Sequence, residues 1–163
     1  MAFVLREATL DDLHPIMGIE TSTFDTDAWS IANMLDELAG QHSWYLVAVD
    51  DAAPEVIVGY GGLMAAPGGS QADIQTIAVS EGARRRGLGR ELMAAMIAEA
   101  RDRGARELFL EVRADNSGAQ ALYLDLGFEQ ISVRKKYYQP DGVDANVMRL
   151  TLAPSRSVGA VGR

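Results

Sequence analysis

From residue 88 the apolar positions recur at steps of three and four. Leu88, Leu92, Met93, Met96, Ile97 and Ala100 fall on one face, and Glu91, Glu99, Arg101 and Arg103 fall elsewhere. That period predicts an amphipathic helix closed by Gly104, the strongest helical signal in the chain. Two weaker helices precede it. Thr9 ahead of Asp11 and Asp12 reads as an N-cap with an acidic first turn. Leu13, Ile16, Met17 and Ile19 then carry an apolar face to about Phe24, with Pro15 confined to the first turns. Ser30 caps the second helix, which carries Ile31, Met34, Leu35 and Leu38 up to Gly40. A fourth, short helix follows Asn116 and stops at Gly127.

Strand signals fill the spaces between these helices. "FVLR" at 3–6 alternates, and "WYLVAVD" at 44–50 and "EVIVGYGGLMAA" at 55–66 flank a "DAAP" turn as a hairpin. "ADIQTIAV" at 72–79 follows the loop "PGGSQ". "ELFLEVR" at 107–113 has the apolar majority expected of a centre strand covered on both faces. "FEQISVRKKYY" and "NVMRLTL" supply the last two strands. About seven strands interleaved with four helices give an α/β fold class. There is no internal repeat and no linker, so residues 1–152 read as one domain. Residues 153–163, "APSRSVGAVGR", lack periodicity and read as a disordered tail.

Composition narrows the chemistry. The 163 residues are 48% hydrophobic and 23% charged, within the range of globular domains. There is no cysteine, which removes disulfides, thiolate metal sites and a cysteine nucleophile together. His14 and His42 lie far apart and show no ligand spacing, so no metal is expected. The first residues lack a basic segment followed by an apolar run, and no stretch approaches the roughly 20 apolar residues of a membrane span. The expectation is a cytoplasmic protein with no membrane partner. Charge is unevenly spread: residues 1–83 hold 13 acidic residues and a single basic one, Arg6, whereas residues 84–163 hold 14 basic and 10 acidic ones. Such polarity suits an anionic ligand on one part and a cationic one on the other, or two ordinary solvated faces.

The basic part concentrates at "ARRRGLGRE", residues 83–91, between a strand and the strongest helix. Unpaired amides at a helix start, the helix dipole, and two glycines that admit an anion to the backbone together suit a pyrophosphate. Arg84, Arg85, Arg86 and Arg90 add charge there. No Lys-Ser or Lys-Thr follows the glycines, which excludes a Walker A loop, and the third glycine of a dinucleotide fingerprint is missing. A single basic loop on an otherwise acidic chain is too small a footprint for nucleic acid.

"RRRGLG" at 84–89, after a strand ending "IAV", resembles the acetyl-CoA loop of the GNAT superfamily of N-acetyltransferases. The resemblance runs over roughly residues 4–152. It includes "FDTDAWS" at 24–30, "LEVRADNSGAQALYLDLGF" at 110–128, and "RKKYY" followed by "DANVMRL". It is nearest to the branch that acetylates the N-terminal alanine of a small-subunit ribosomal protein. The resemblance implies a mixed, mostly antiparallel sheet with helices on both faces, acetyl-CoA as co-substrate, and a protein N-terminus as partner. Ile77, Ala78 and Val79 would pair with the pantetheine arm. Arg84 to Arg90, including Gly87, Leu88 and Gly89, would hold the pyrophosphate, and Asn116 would touch the cofactor from another side.

Acetyl transfer needs a neutral amine, a held thioester, a stabilised oxyanion and a proton for the leaving thiolate. Glu111 interrupts the apolar strand "LFLEVR", where a carboxylate is costly unless used or paired. Partial burial would make it a better proton acceptor, and the resemblance assigns it that role. The alternatives are an ion pair with Arg113, two residues on, or a surface-facing position. Tyr123 reads from its spacing to Ala119 and Leu126 as a core aromatic, whereas the resemblance makes it the acid that protonates the CoA sulfur. Trp29, Tyr137 and Tyr138 are either acceptor-pocket walls or packing residues. An α-amine, with a pKa about 8, is roughly 10% neutral at pH 7, against well under 0.1% for lysine. That difference favours an N-terminus as acceptor. A GNAT enzyme acting on lysine side chains or a small amine, and a non-catalytic acetyl-CoA-binding module, remain the alternatives.

Overall fold

A computed structural model describes residues 2–153; the expected tail from 154 onward lies outside the described residues. The elements run β1 (Phe3–Glu7), α1 (Leu13–Phe24), α2 (Ile31–Leu38), β2 (Ser43–Asp50), β3 (Ala53–Met64), β4 (Gln71–Val79), α3 (Leu88–Asp102), β5 (Glu107–Arg113), α4 (Ser117–Asp125), β6 (Glu129–Tyr138) and β7 (Val143–Thr151). The strand order is β1-β2-β3-β4-β5-β7-β6. β1–β2, β2–β3, β5–β7 and β6–β7 pair antiparallel, and β4–β5 pairs parallel over Gln71–Asp73 against Glu107–Phe109. The expected α/β class with a mixed, mostly antiparallel seven-stranded sheet is therefore present. Two compact units share the chain: Met1–Met64 with Gln75–Met96, and Ala65–Ile74 with Ile97–Arg163.

In the first unit, α1 and α2 bury Ile16, Met17, Ile19 and Met34 against Tyr45, Val47, Val49 and Tyr60 of the β2–β3 hairpin. The helix expected from Asp11 begins instead at Leu13, behind a tight 3-10 turn over Leu10–Asp12. Asp12 explains the difference. Its carboxylate turns back to accept the Thr9 N–H (2.8 Å) and pairs with both terminal nitrogens of Arg6 (2.8 and 2.9 Å). That pairing holds the Asp12 carboxyl below its ordinary range, Arg6 being the main cause. Ser30 caps α2 as expected, accepting the Asn33 N–H at 3.1 Å.

The placement of α3 rests on glycines of β3. A Cβ on Gly59 would stand 3.2 Å from Leu88 and 3.3 Å from the Ala78 carbonyl, and one on Gly61 would meet the Met96 side chain at 2.7 Å. Leu88, Leu92 and Met96, one helical turn apart, therefore rest on bare backbone and are essentially fully buried.

In the second unit, β5 shows alternation rather than the expected two-sided cover. Leu108, Leu110 and Val112 are buried, while Glu107, Phe109, Glu111 and Arg113 take the other, partly exposed face. The apolar majority arises because Phe109 joins that second face, and the period is the two of a strand with one dry side. Gly104, at φ +97°, ends α3 in the left-handed conformation that glycine adopts freely.

Adding side-chain atoms at Gly59 tests how closely α3 is seated. We expect Gly59→Ala to cost about 1 kcal/mol and Gly59→Val about 3 kcal/mol of folding free energy, read by thermal or urea denaturation. Equal stability of all three proteins would show that α3 has room to move.

Candidate active site

The first unit builds a strand–loop–helix around the arginines. β4 ends at Val79, and its residues Ile77, Ala78 and Val79 alternate between half-buried and buried. A short 3-10 turn, Glu81–Ala83, tucks Ala83 into the interior, and α3 starts at Leu88. Between them the backbone takes two left-handed steps, Arg85 at φ +65° and Gly87 at φ +79°. Gly87 faces open space: a Cβ there would meet nothing within 4 Å. The Glu91 N–H to Gly87 carbonyl bond (3.1 Å) joins the first turn of α3 to the loop, and a helix start directs its first amides outward. Arg84, Arg85, Arg86 and Arg90 are exposed, Leu88 is buried and Gly89 is half-buried. Arg84 is partly committed, its Nε donating to the Val79 carbonyl at 3.0 Å, which braces the loop against its own strand. A cavity of about 550 Å³ opens here, lined by Glu81, Arg84 and Arg85. Left-handed steps beside a helix start, with guanidinium groups around them, make a geometry that suits an anion.

The second unit gathers Glu111, Arg134 and Tyr137. Glu111 faces the partly exposed side of β5, its side chain 31% accessible, and accepts a hydrogen bond from Arg134 at 2.6 Å. The side chain is thus partly buried, as expected, and the cation paired with it is Arg134 rather than the alternative, Arg113. In the sheet order β7 lies between β5 and β6, with Val147 opposite Glu111 and Ala145 opposite Arg134, so a guanidinium two strands away reaches the carboxylate. Arg113 is engaged elsewhere, with Asp115 (3.0 Å) and Asp141 (2.6 Å).

Each arginine also stacks on a tyrosine: Arg134 lies 4.9 Å from the Tyr137 ring centre and Arg113 lies 5.1 Å from that of Tyr138. The two tyrosines meet edge to face at 5.1 Å. Burial raises the Tyr137 phenol first and the Glu111 charge adds to it. Asp73 on β4 also feels Glu111: burial, then that charge, raises its carboxyl.

Asn116 caps α4, and Tyr123 lies within it. The Asn116 side-chain oxygen caps the helix by accepting the Ala119 N–H at 3.1 Å. Tyr123 is buried, 7% accessible, with its ring 5.9 Å from Phe128. Burial pushes its phenol up to about 12. Trp29 lies in the first unit, half-buried and packed against the α1–α2 core, so it falls in a different unit from Tyr137 and Tyr138.

Sequence reasoning missed the buried polar centre of the first unit. Glu20, 1% accessible, accepts the Trp29 backbone N–H (2.9 Å), the Thr76 hydroxyl (3.2 Å) and the Tyr60 hydroxyl. Its signal was present: Glu20 follows Ile16 and Met17 at helical spacing, on the apolar face of α1. Among the described residues, no helix is long and apolar enough to cross a membrane.

The sequence model of the acetyltransferase (GNAT) family matches residues 10–128. An uncharacterized protein of Mycobacterium leprae is 35% identical over 90% of this chain, which spans only 40% of that protein's length. The N-alpha-acetyltransferase RimI of Mycobacterium tuberculosis is 34% identical over 76% of this chain and 75% of its own length. Among solved structures, the ribosomal-protein-S18-alanine N-acetyltransferase of Escherichia coli superposes with a TM-score of 0.83, at 28% identity over 94% of this chain and 96% of that one.

The protonation of Tyr123 can be read directly. Alkaline titration of tyrosinate absorbance, wild type minus Tyr123→Phe, should show a phenol ionising near 12, well above the ordinary value of about 10. Because the folded value is the raised one, the stability that burial of the neutral phenol contributes is present below about pH 10 and fades above it. A difference spectrum centred near 10 would mean that the ring is solvated.

Proposed function

The chain belongs to the acetyltransferase (GNAT) family, and from that premise we propose that it moves an acetyl group from acetyl-CoA to the α-amine at a protein N-terminus. The acceptor class is a ribosomal small-subunit protein beginning with alanine, as the names of its relatives suggest. The observation that carries the reading is Glu111, a partly exposed carboxylate set by Arg134 beside stacked tyrosines, in a chain that also carries the arginine–glycine loop. The reading takes residues 1–152 as one acetyltransferase domain, since the loop and Glu111 fall in different compact units. It also puts the protein in the cytoplasm, where acetyl-CoA and newly made ribosomal proteins meet.

The amides at the start of α3, with Arg85, Arg86 and Arg90, hold the pyrophosphate. Gly87 and Gly89 let it approach the backbone, and Leu88 anchors the helix start in the interior. Ile77, Ala78 and Val79 offer backbone groups to the pantetheine arm, and the Val79 N–H is the candidate donor to the thioester oxygen. The Asn116 side-chain oxygen is committed to its helix cap, so its amide nitrogen is the group that would face the cofactor.

Glu111 takes the proton from the acceptor ammonium; in its own unit Tyr137 and Tyr138 are the candidate acceptor walls, and in the first unit the candidate is Trp29. The freed amine attacks the thioester carbonyl directly, since the chain has no cysteine to carry the acetyl group. Tyr123, protonated at neutral pH, serves the departing sulfur as a hydrogen-bond donor. As the C–S bond breaks the phenol proton passes to the sulfur, and the second proton of the newly acylated nitrogen returns to the phenol oxygen, so the one net proton released is that taken up by Glu111.

Thiol release from acetyl-CoA, measured against a panel of peptides beginning with alanine, tests the reading. Turnover is expected with such peptides. Glu111→Gln should lower kcat by roughly 100-fold or more while CoA affinity stays within about twofold. Full activity in Glu111→Gln would overturn its role. Tight CoA binding with no turnover on any amine would favour a sensor.

A further inference from the structure

Glu20 is the one fully buried carboxylate among the described residues that the reaction above does not use. Its three partners come from three places. Trp29 N–H belongs to the segment before α2, Tyr60 to β3, and Thr76 to β4, one residue ahead of Ile77. A carboxylate out of water is costly unless donors surround it, and three donors do so here. Burial raises its carboxyl, against the lowering effect of the Trp29 and Thr76 hydrogen bonds.

An apolar side chain of similar size would fill the space and keep α1 packed. It would leave the Trp29 N–H unanswered and the segment 25–29 without its tie to the interior. Glutamine can keep the tether: with its oxygen on the Trp29 N–H, its NH2 donates to the Tyr60 and Thr76 hydroxyls, which also accept. What an apolar side chain cannot supply at this point is acceptance from the Trp29 backbone together with a hydrogen bond to the strand that carries Ile77–Val79.

We propose that Glu20 is a positioning residue for the acceptor: it fixes the Trp29 segment to β4 and so sets the wall against which the acceptor N-terminus docks. The proposal rests on the acetyltransferase reading above. Glu20 touches no reacting atom, and its influence passes through the Trp29 backbone. Loss of the tether acts on acceptor binding, while the loop that holds the pyrophosphate and the Glu111 carboxylate keep their own supports.

The test compares Glu20→Met with Tyr60→Phe, in proteins carrying Trp44→Phe so that Trp29 is the one tryptophan left of the two in the chain. Glu20→Met should raise the acceptor-peptide KM about tenfold, with kcat and the acetyl-CoA KM within about twofold, and should red-shift Trp29 emission, while Glu20→Gln, which can still accept the Trp29 N–H, stays near the parent protein. Tyr60→Phe removes a different partner of the same carboxylate, so it should lower thermal stability and leave acceptor KM and emission in place. Should Glu20→Met not fold, Glu20→Asp carries the same comparison, because the shorter side chain cannot span all three donors.

An unchanged acceptor KM and emission in Glu20→Met, or in Glu20→Asp in its place, overturns the proposal. Equal changes in that variant and Tyr60→Phe overturn it too, since they would reflect general loosening. If the wild type acetylates no amine, the acetyltransferase reading fails on its own, and an unmoved Trp29 emission would then remove the tether as well.

Discussion

The seating of α3 on bare glycine backbone is the constraint from which the geometry of the arginine–glycine loop follows. Gly59 and Gly61 alternate on one face of β3, and Leu88, Leu92 and Met96 descend onto them at van der Waals distance. Because Leu88 is the first residue of α3 and is nearly inaccessible, the helix starts at a fixed height. The loop must then close between Val79 and Leu88 in few residues, and the left-handed turns at Arg85 and Gly87 are how it does so. Burial of three apolar side chains in this way stabilises the unit by several kcal/mol, far more than any contact the exposed arginines make with water. Packing thus fixes the amides, and the arginines add charge to a geometry already set.

Three carboxylates show how environment divides labour among identical groups. Asp12 is held by the two nitrogens of Arg6 and shapes the turn ahead of α1. Glu20 meets only donors, from a backbone amide and two hydroxyls, and serves the interior. Glu111 keeps a third of its side chain open, with one cation fixed on it, which leaves it the most available to a ligand. Tyr123 stands at the other limit: a buried phenol whose proton affinity is raised by its removal from water.

Local chemistry was legible in the sequence wherever it depended on neighbours in the chain. The period of α3, the caps at Ser30 and Asn116, and the stops at Gly104 and Gly127 all depend on residues within one or two turns. Long-range pairings were not legible. Arg113 is two residues from Glu111 and was the natural partner on one strand face, yet the cation that reaches Glu111 is Arg134, from β6 beyond β7. Glu20, Tyr60 and Thr76 are separated by 40 and 16 residues, and only the packing of α1 on the sheet brings them together. The start of α1 was misplaced for a similar reason, because Asp12 answers to Arg6 on β1 as well as to its own helix. The loop at 84–90 and its fit to a pyrophosphate were legible because strand, glycines and helix are contiguous.

The central claim is that the acceptor is an α-amine, and it is tested most directly on a peptide that offers both kinds of amine. A peptide beginning Ala-Arg and carrying an internal lysine, incubated with acetyl-CoA and the protein, can be mapped by tandem mass spectrometry. The account predicts acetyl on the terminal alanine nitrogen and an unmodified lysine. Acetyl on the lysine alone would contradict it.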